Sequence, residues 1–250
     1  LACLVVPTVF GHDPYAVDFE QKQEGPSFAH PLGTDFFGRD LAVRLALGGR
    51  ASLLVAFAAA ALVLVIGLAY GSLAALAGGR TELATQRLLD GPLALPRLPI
   101  LIVILLVVGL NGSLWTLVPA LAITNWMITA RLVRGEVATL LRTDFVRAAR
   151  GVGASRRQIL FRHLIPNSLG VLIVAVFLGL PAMILGESFL SVLDLGPGPP
   201  AATWGALAQD AILQGRLYEL VLSSAAIAVF AVSANLVADA LHQALDPRQS

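Results

Sequence analysis

Charge is what this sequence has least of: only 13% of its 250 residues are Asp, Glu, Lys or Arg, against 57% apolar ones, and its mean hydropathy is +0.80. Soluble domains carry roughly a quarter charged residues, so a soluble globular fold is excluded and a polytopic membrane protein is implied. Cysteine is nearly absent; with Cys3 alone, neither an internal disulfide nor a cysteine metal cluster can form. The four histidines, His12, His30, His163 and His242, are far apart and show no ligand spacing, so no metal site is indicated. Lysine occurs once, as Lys22 in Glu-Gln-Lys-Gln-Glu, which leaves no Gly-x-x-x-x-Gly-Lys-Ser/Thr loop to hold ATP. Neither a Gly-x-Ser-x-Gly elbow nor an HExxH site is present. The net charge of +1, without an aromatic-interleaved basic surface, argues against nucleic-acid binding.

The charge that is present is unevenly placed. Residues 131–167 hold eight of the sixteen arginines between two long uncharged runs, and so form a polar island outside the hydrocarbon. Within it, Thr143 and Asp144 cap a short helix in which Phe145, Ala148, Ala149 and Val152 recur at i, i+3, i+4, i+7 and make one small apolar face. Gly151 and Gly153 can close that helix in the left-handed conformation. Ser155-Arg-Arg-Gln158 reads as a capping box opening a second helix, and Pro166 bends the chain into the next apolar run. An arginine-rich cytoplasmic loop accounts for this pattern, and so does a docking helix.

The same stretch resembles the EAA loop of ABC importer permeases: two alanines, a glycine four residues on, then a Leu-Pro. It stands here as Arg147-Ala148-Ala149, Gly153 and His163-Leu164-Ile165-Pro166, with Arg147 in place of the leading Glu and Ile165 in place of Leu. In that family the loop is the coupling helix seated in a groove of the ATPase subunit, so the resemblance implies coupling roles for Phe145, Arg147, Ala148, Ala149, Gly153 and Pro166. Further resemblances run along the chain. His30-Pro-Leu-Gly-Thr-Asp35 followed by Gly38-Arg39-Asp40 is similar to the HPLGTD-x-x-GRD signature of the second permease of peptide and nickel importers. Ser188-Phe189-Leu190, Leu195-Gly196, Pro199-Pro200 and Trp204-Gly205 resemble the family's SFLGLG-x-x-PP-x-PSWG segment, although Val192, Asp194 and Ala202 depart from it. Asn235, Asp239 and Ala244-Leu245-Asp246-Pro247-Arg248 resemble its N-x-x-x-D…ALDPR ending.

From the residues alone, segment 1–11 is too short to span and reads as the end of a first, truncated membrane helix. Segment 12–50 reads as an exposed loop whose residues 41–47 form an amphipathic helix at the membrane surface. Spans are expected at about 51–77, 84–109, 114–133, 166–186 and 217–238, the fourth closed by Glu187, with a tight turn at Asn111-Gly112-Ser113. Asp90 and Arg97 read as interfacial, Asn125 and Trp126 as packing residues, and Trp204 as an interfacial aromatic in a rigid loop. The expected fold is therefore an all-α membrane bundle of about six spans, with the permease domain over 51–250 and the coupling loop at 134–166.

Orientation follows from the basic residues. With 131–162 inside, alternation places twelve Lys and Arg inside and five, Lys22, Arg39, Arg44, Arg50 and Arg216, outside. The resemblance implies a multi-pass subunit of the bacterial cytoplasmic membrane importing dipeptides or oligopeptides, or nickel or tetrapyrroles as other members do. It implies a second, different permease chain, two ATPase subunits carrying ATP and Mg, an external solute-binding protein and surrounding lipid, with no cofactor and no catalysis in this chain. No substrate-contacting residue can be named. The rival class, an ion-coupled secondary carrier, needs ionisable groups within spans, and Asp90, Glu187 and Glu219 all fall near predicted span ends.

Overall fold

A computed structural model describes residues 3, 13, 15–93, 95–108, 113–198 and 202–245. The expected helix at 1–11, the turn at 111–112, Pro199-Pro200 and the 246–248 ending lie outside the described residues.

The described residues are helical and contain no strand. In chain order the helices are α1 (Leu41–Ala77), α2 (Gly79–Leu93), α3 (Arg97–Val108), α4 (Leu114–Leu140), α5 (Asp144–Gly151), α6 (Arg156–Ile159), α7 (Ile165–Val192), α8 (Trp204–Leu213) and α9 (Leu217–Leu245), with a π-helical turn at Leu160–Leu164 between α6 and α7. Among the described residues four stretches are long and apolar enough to cross a membrane: α1, α4, the run Arg156–Val192, and α9. Backbone groups in hydrocarbon must be satisfied within the segment, which is why these apolar runs are helices.

The expected boundaries shift in several places; α4 and α9 run past the expected ends at 133 and 238, to Leu140 and Leu245. The amphipathic helix at 41–47 is no separate surface element; it is the first part of α1, which runs unbroken through Gly48 and Gly49. Trp204 packs directly on both glycines and Leu207 on Gly48. The expected span at 84–109 is divided into α2 and α3 at residues 95–96, because Pro96 has no N–H to donate and disfavours helix at Leu95. Pro166 does not turn the chain away, since residues 156–192 form one helical run. The π turn just before it widens the ladder, and the Ser168 hydroxyl caps the Leu164 carbonyl at 2.7 Å.

The chain divides into two compact units. One comprises residues 1–58, 105–118 and 182–232; the other comprises 59–104, 119–181 and 233–250.

The first unit is built on the HPLGTD-x-x-GRD stretch, folded into a hydrogen-bonded knot. His30 Nδ1 lies 2.8 Å from Asp40 and Nε2 lies 2.9 Å from the Gln21 side chain. Asp40 also caps α1, its other oxygen accepting from the Val43 N–H at 2.9 Å. Asp35 accepts from the Phe37 and Arg39 N–H groups at 2.8 and 2.9 Å, and pairs with the Arg39 side chain at 2.7 Å and with buried Arg44 at 3.5 Å. Gly38 adopts φ +75°, and a Cβ there would sit 1.7 Å from the Asp18 carbonyl oxygen, so only glycine closes this turn. The motif thus does structural work: each polar group is spent on holding the loop and starting α1.

The second unit is joined by small residues and an apolar cluster. Gly67 and Gly71 of α1 face Thr129, Ala130 and Val133 of α4; a Cβ on Gly71 would lie 2.5 Å from the Ala130 carbonyl oxygen. Such close approach is how helices associate where burying apolar surface gains little. Trp126 packs edge-on against Tyr70 at 5.1 Å beside Leu89, and Asn125 turns back to donate to its own helix at the Leu121 carbonyl, 2.8 Å away. Both are packing residues.

Candidate functional site

The short helix α5 and its supports form the candidate site. Thr143 stands at the N-cap, but its hydroxyl donates back to the Leu140 carbonyl at 2.6 Å rather than accepting from the new helix. Asp144 follows in the first turn, where a negative charge complements the helix dipole. The helix ends as expected: the Val152 and Gly153 N–H groups donate to the Ala148 and Arg150 carbonyls, and Gly153 takes the left-handed conformation at φ +85°. Gly151 remains helical. The Ser155–Gln158 capping box is complete in both directions and opens α6.

The apolar face read from the spacing divides in two. Phe145 is 41% exposed and Val152 87% exposed, with Ala148 exposed between them. Ala149 is half-buried and packs against an inner cluster. The residue that anchors α5 is Val146, fully buried among Ala75 of α1, Val133 and Val137 of α4, Ile159, Leu164 of the π turn and Leu172 of α7. Sequence spacing missed Val146, which lies outside the 145–148–149–152 stripe. One valine therefore ties the short helix to three of the long helical stretches, while an apolar strip of Phe145, Ala148 and Val152 stays open.

Arg147, where the EAA pattern has Glu, folds over the preceding turn. Its guanidinium donates to the Arg142 carbonyl at 2.9 Å and lies 3.4 Å from exposed Asp144. Phe145 stands 6.3 Å from the His163 ring. Gly153 has nothing within 4 Å of where a Cβ would be, so its surroundings are open. Pro166 is exposed at the start of α7. Of the six residues singled out by the resemblance, Phe145, Arg147, Ala148 and Gly153 are exposed on or beside α5, Ala149 faces inward, and Pro166 belongs to the following helix.

Ionisable groups were expected near span ends; Glu219 does lie in the first turn of α9, and both it and Glu187 are buried. Glu187 does not close its helix; α7 continues to Val192, and the Glu187 side chain is fully buried. It accepts from Ser52 at 3.1 Å and Ser191 at 2.9 Å, while the Trp204 N–H donates to the Ser52 hydroxyl at 3.1 Å. Trp204 is likewise buried rather than interfacial: it opens α8, and its indole N–H donates to the Leu45 carbonyl at 2.9 Å. Gly205 beside it permits this, because a Cβ there would meet the Ser188 Cα at 2.5 Å. Glu219 is buried and pairs with Arg216 at 2.6 Å. Burial pushes the Asp210 carboxyl up, against the pull of Arg44 at 3.5 Å. Asp90 is exposed and pairs with exposed Arg131. Each of these acids has a partner inside the protein, which suits structural use. Among the described residues no group of three His, Cys, Asp or Glu could hold a metal ion.

Comparison with known proteins agrees with this architecture. A family model described as binding-protein-dependent transport system inner membrane component matches residues 66–250. The oligopeptide transport system permease protein OppC of Bacillus subtilis (strain 168) is 37% identical over 250 residues, covering 99% of this chain and 81% of that protein. The dipeptide transport system permease protein DppC of the same organism is 36% identical, covering 98% and 77%. Among solved structures, the MetNI methionine ABC transporter in inward-facing conformations matches with a TM-score of 0.62 at 19% identity, over 79% of this chain and 96% of that one. An amino acid ABC transporter solved with histidines matches at 0.59 and 18% identity, over 80% and 93%. At such low identity these two establish the shared fold alone. The ion-coupled carrier reading gives way, and the chain belongs to the binding-protein-dependent transport system inner membrane component family, as a multi-pass permease subunit of an ABC importer.

Proposed function

We propose that this chain forms part of the translocation pathway of a peptide importer in a bacterial cytoplasmic membrane, and that α5 is its docking point for an ATPase subunit. The observation that carries the proposal is the divided face of α5: Val146 is fully buried, while Phe145 and Val152 present an open apolar strip. Isolated exposed apolar residues are ordinary, but a strip rimmed by arginines on a helix anchored by a buried valine suits a protein partner. ATP is bound and hydrolysed, with Mg, on two separate ATPase subunits, since this sequence has no phosphate-binding loop. A second permease chain and an external solute-binding protein complete the assembly. The 134–166 region faces the cytoplasm and the HPLGTD loop faces outward, as the distribution of basic residues favours. Peptides are the favoured cargo because two relatives matched along nearly the whole chain carry the names oligopeptide and dipeptide permease.

In this mechanism closure of the ATPase pair displaces α5, and the Val146 cluster passes the displacement to α1, α4 and α7. The test is ATPase activity and peptide uptake of the assembled transporter carrying Val152→Asp. Its side chain is 87% exposed, so the fold should tolerate the change while an apolar groove on the ATPase would reject the charge. Loss of at least ten-fold in uptake with normal membrane insertion is expected; full uptake would overturn the docking role. Gly153→Val should also uncouple, through its strained φ of +85° and its added bulk.

A further inference from the structure

The second unit contains a groove that the import mechanism does not use. It has a volume of about 730 Å³ and lies between α1 and the run from α6 through the π turn into α7. That size falls within the ~300–1,000 Å³ of small-molecule sites. Its α1 wall is a helical stripe, Val65, Leu68, Ser72, Leu73 and Leu76, spaced at i, i+3, i+7, i+8 and i+11. The facing wall is Phe161, and Arg156 and Arg157 also line the groove.

Two features of this groove call for a partner with a polar end. Arg156 and Arg157 are exposed, and neither pairs with a carboxylate among the described residues; Arg157 only lies over the Phe161 ring at 6.0 Å. Within the apolar wall, Ser72 is 2% exposed and its hydroxyl has no hydrogen-bond partner, although a helical serine can ordinarily bond to its own preceding turn. A buried donor left unmade is costly, so an acceptor at that depth would be favoured.

We propose that the groove is a binding site for an anionic phospholipid. One acyl chain lies along the Val65–Leu68–Leu76 stripe, the Ser72 hydroxyl donates to a glycerol ester carbonyl, and the phosphate sits on the Arg156 and Arg157 guanidiniums. The chemistry separates this occupant from a protein helix. A partner helix packed here would bury two guanidiniums that have no carboxylate beside them, which is unfavourable, whereas a phosphate neutralises both. Basic pockets between membrane helices are suited to anionic headgroups on the same grounds.

The test is native mass spectrometry of the intact transporter, delipidated and then titrated with dioleoyl phosphatidylglycerol or with dioleoyl phosphatidylcholine. The wild type should retain the anionic lipid selectively. The double substitution R156Q/R157Q should weaken that retention by about twenty-five-fold, from about five-fold for each arginine near a membrane surface. Ser72→Ala should weaken retention of both lipids by a few-fold, since it removes an ester contact common to them. Exposed arginines outside both the groove and α5, changed as R87Q/R97Q, control for net charge and should leave retention intact. Equal retention of the two lipids by wild type would overturn the proposal. So would unchanged selectivity in R156Q/R157Q, an equal loss in the control, or disulfide trapping of Leu73→Cys to the second permease chain in the assembled transporter. The readout is lipid retention, so it is decided separately from import.

Discussion

The two units are held together by opposite chemistry. In one, buried polar groups pair with one another: His30 with Asp40 and Gln21, Asp35 with Arg39 and Arg44, and Glu187 with Ser52 and Ser191. In the other, α5 rests on Val146 and a wholly apolar cluster. Hydrogen bonds are directional and hold one geometry, and breaking one in a buried site leaves a costly orphan. Dispersion contacts have no such angular demand, so packed apolar side chains can slide and repack while remaining buried. The contrast teaches that the polar unit is suited to a fixed frame and the apolar one to an element that moves.

The contrast breaks most plainly at Gly38. Gly38→Ala forces a Cβ to within 1.7 Å of a backbone oxygen at φ +75°, and should destabilise by on the order of 4 kcal/mol or more, seen as loss of folded protein after detergent extraction. Glu187→Ala comes next. It strips the acceptor from Ser52 and Ser191, and a loss of about 3 kcal/mol should appear as a lowered Tm. Glu187→Gln keeps one acceptor oxygen and should cost less. Equal losses from Ala and Gln would mean that the two acceptor oxygens together, and not the volume of the side chain, hold this region.

Val146→Ala sharpens the other side. A cavity in the apolar cluster should cost about 1–2 kcal/mol, less than either polar lesion, yet reduce ATP-coupled uptake disproportionately. If uptake falls only in step with the amount of folded protein, the cluster is merely structural. The smallest effect is expected at Asp90→Asn, because Asp90 and Arg131 are 61% and 52% exposed and such surface pairs contribute about 0–1 kcal/mol. A Tm change of several degrees there would show the pair to be shielded from water.

Much of this was legible in the residues. The start and end of α5, the left-handed Gly153 and the Ser155–Gln158 box depend on contacts within a few positions, so local pattern suffices to read them. The long apolar runs were legible because length and composition alone place a segment in a bilayer. Val146, Glu187 and Trp204 were not legible in the same way. Their burial is decided by partners such as Ile159, Ser52 and Leu45, and Ser52 and Leu45 lie more than a hundred positions from Glu187 and Trp204. The break at 95–96 and the continuity through Gly48-Gly49 failed for a related reason: proline and glycine are ambiguous until it is known what packs on them.

By itself, then, the sequence determined the membrane class, the helical fold and the local shape of α5, all consequences of composition and short-range chemistry. Only the tertiary structure decided which half of the α5 face is buried, that Glu187 is a buried acceptor rather than a helix end, and that Ser72 is left unpartnered in an apolar groove beside two arginines. Burial and hydrogen-bond satisfaction belong to pairs of residues, and no single stretch of chain contains both members of those pairs.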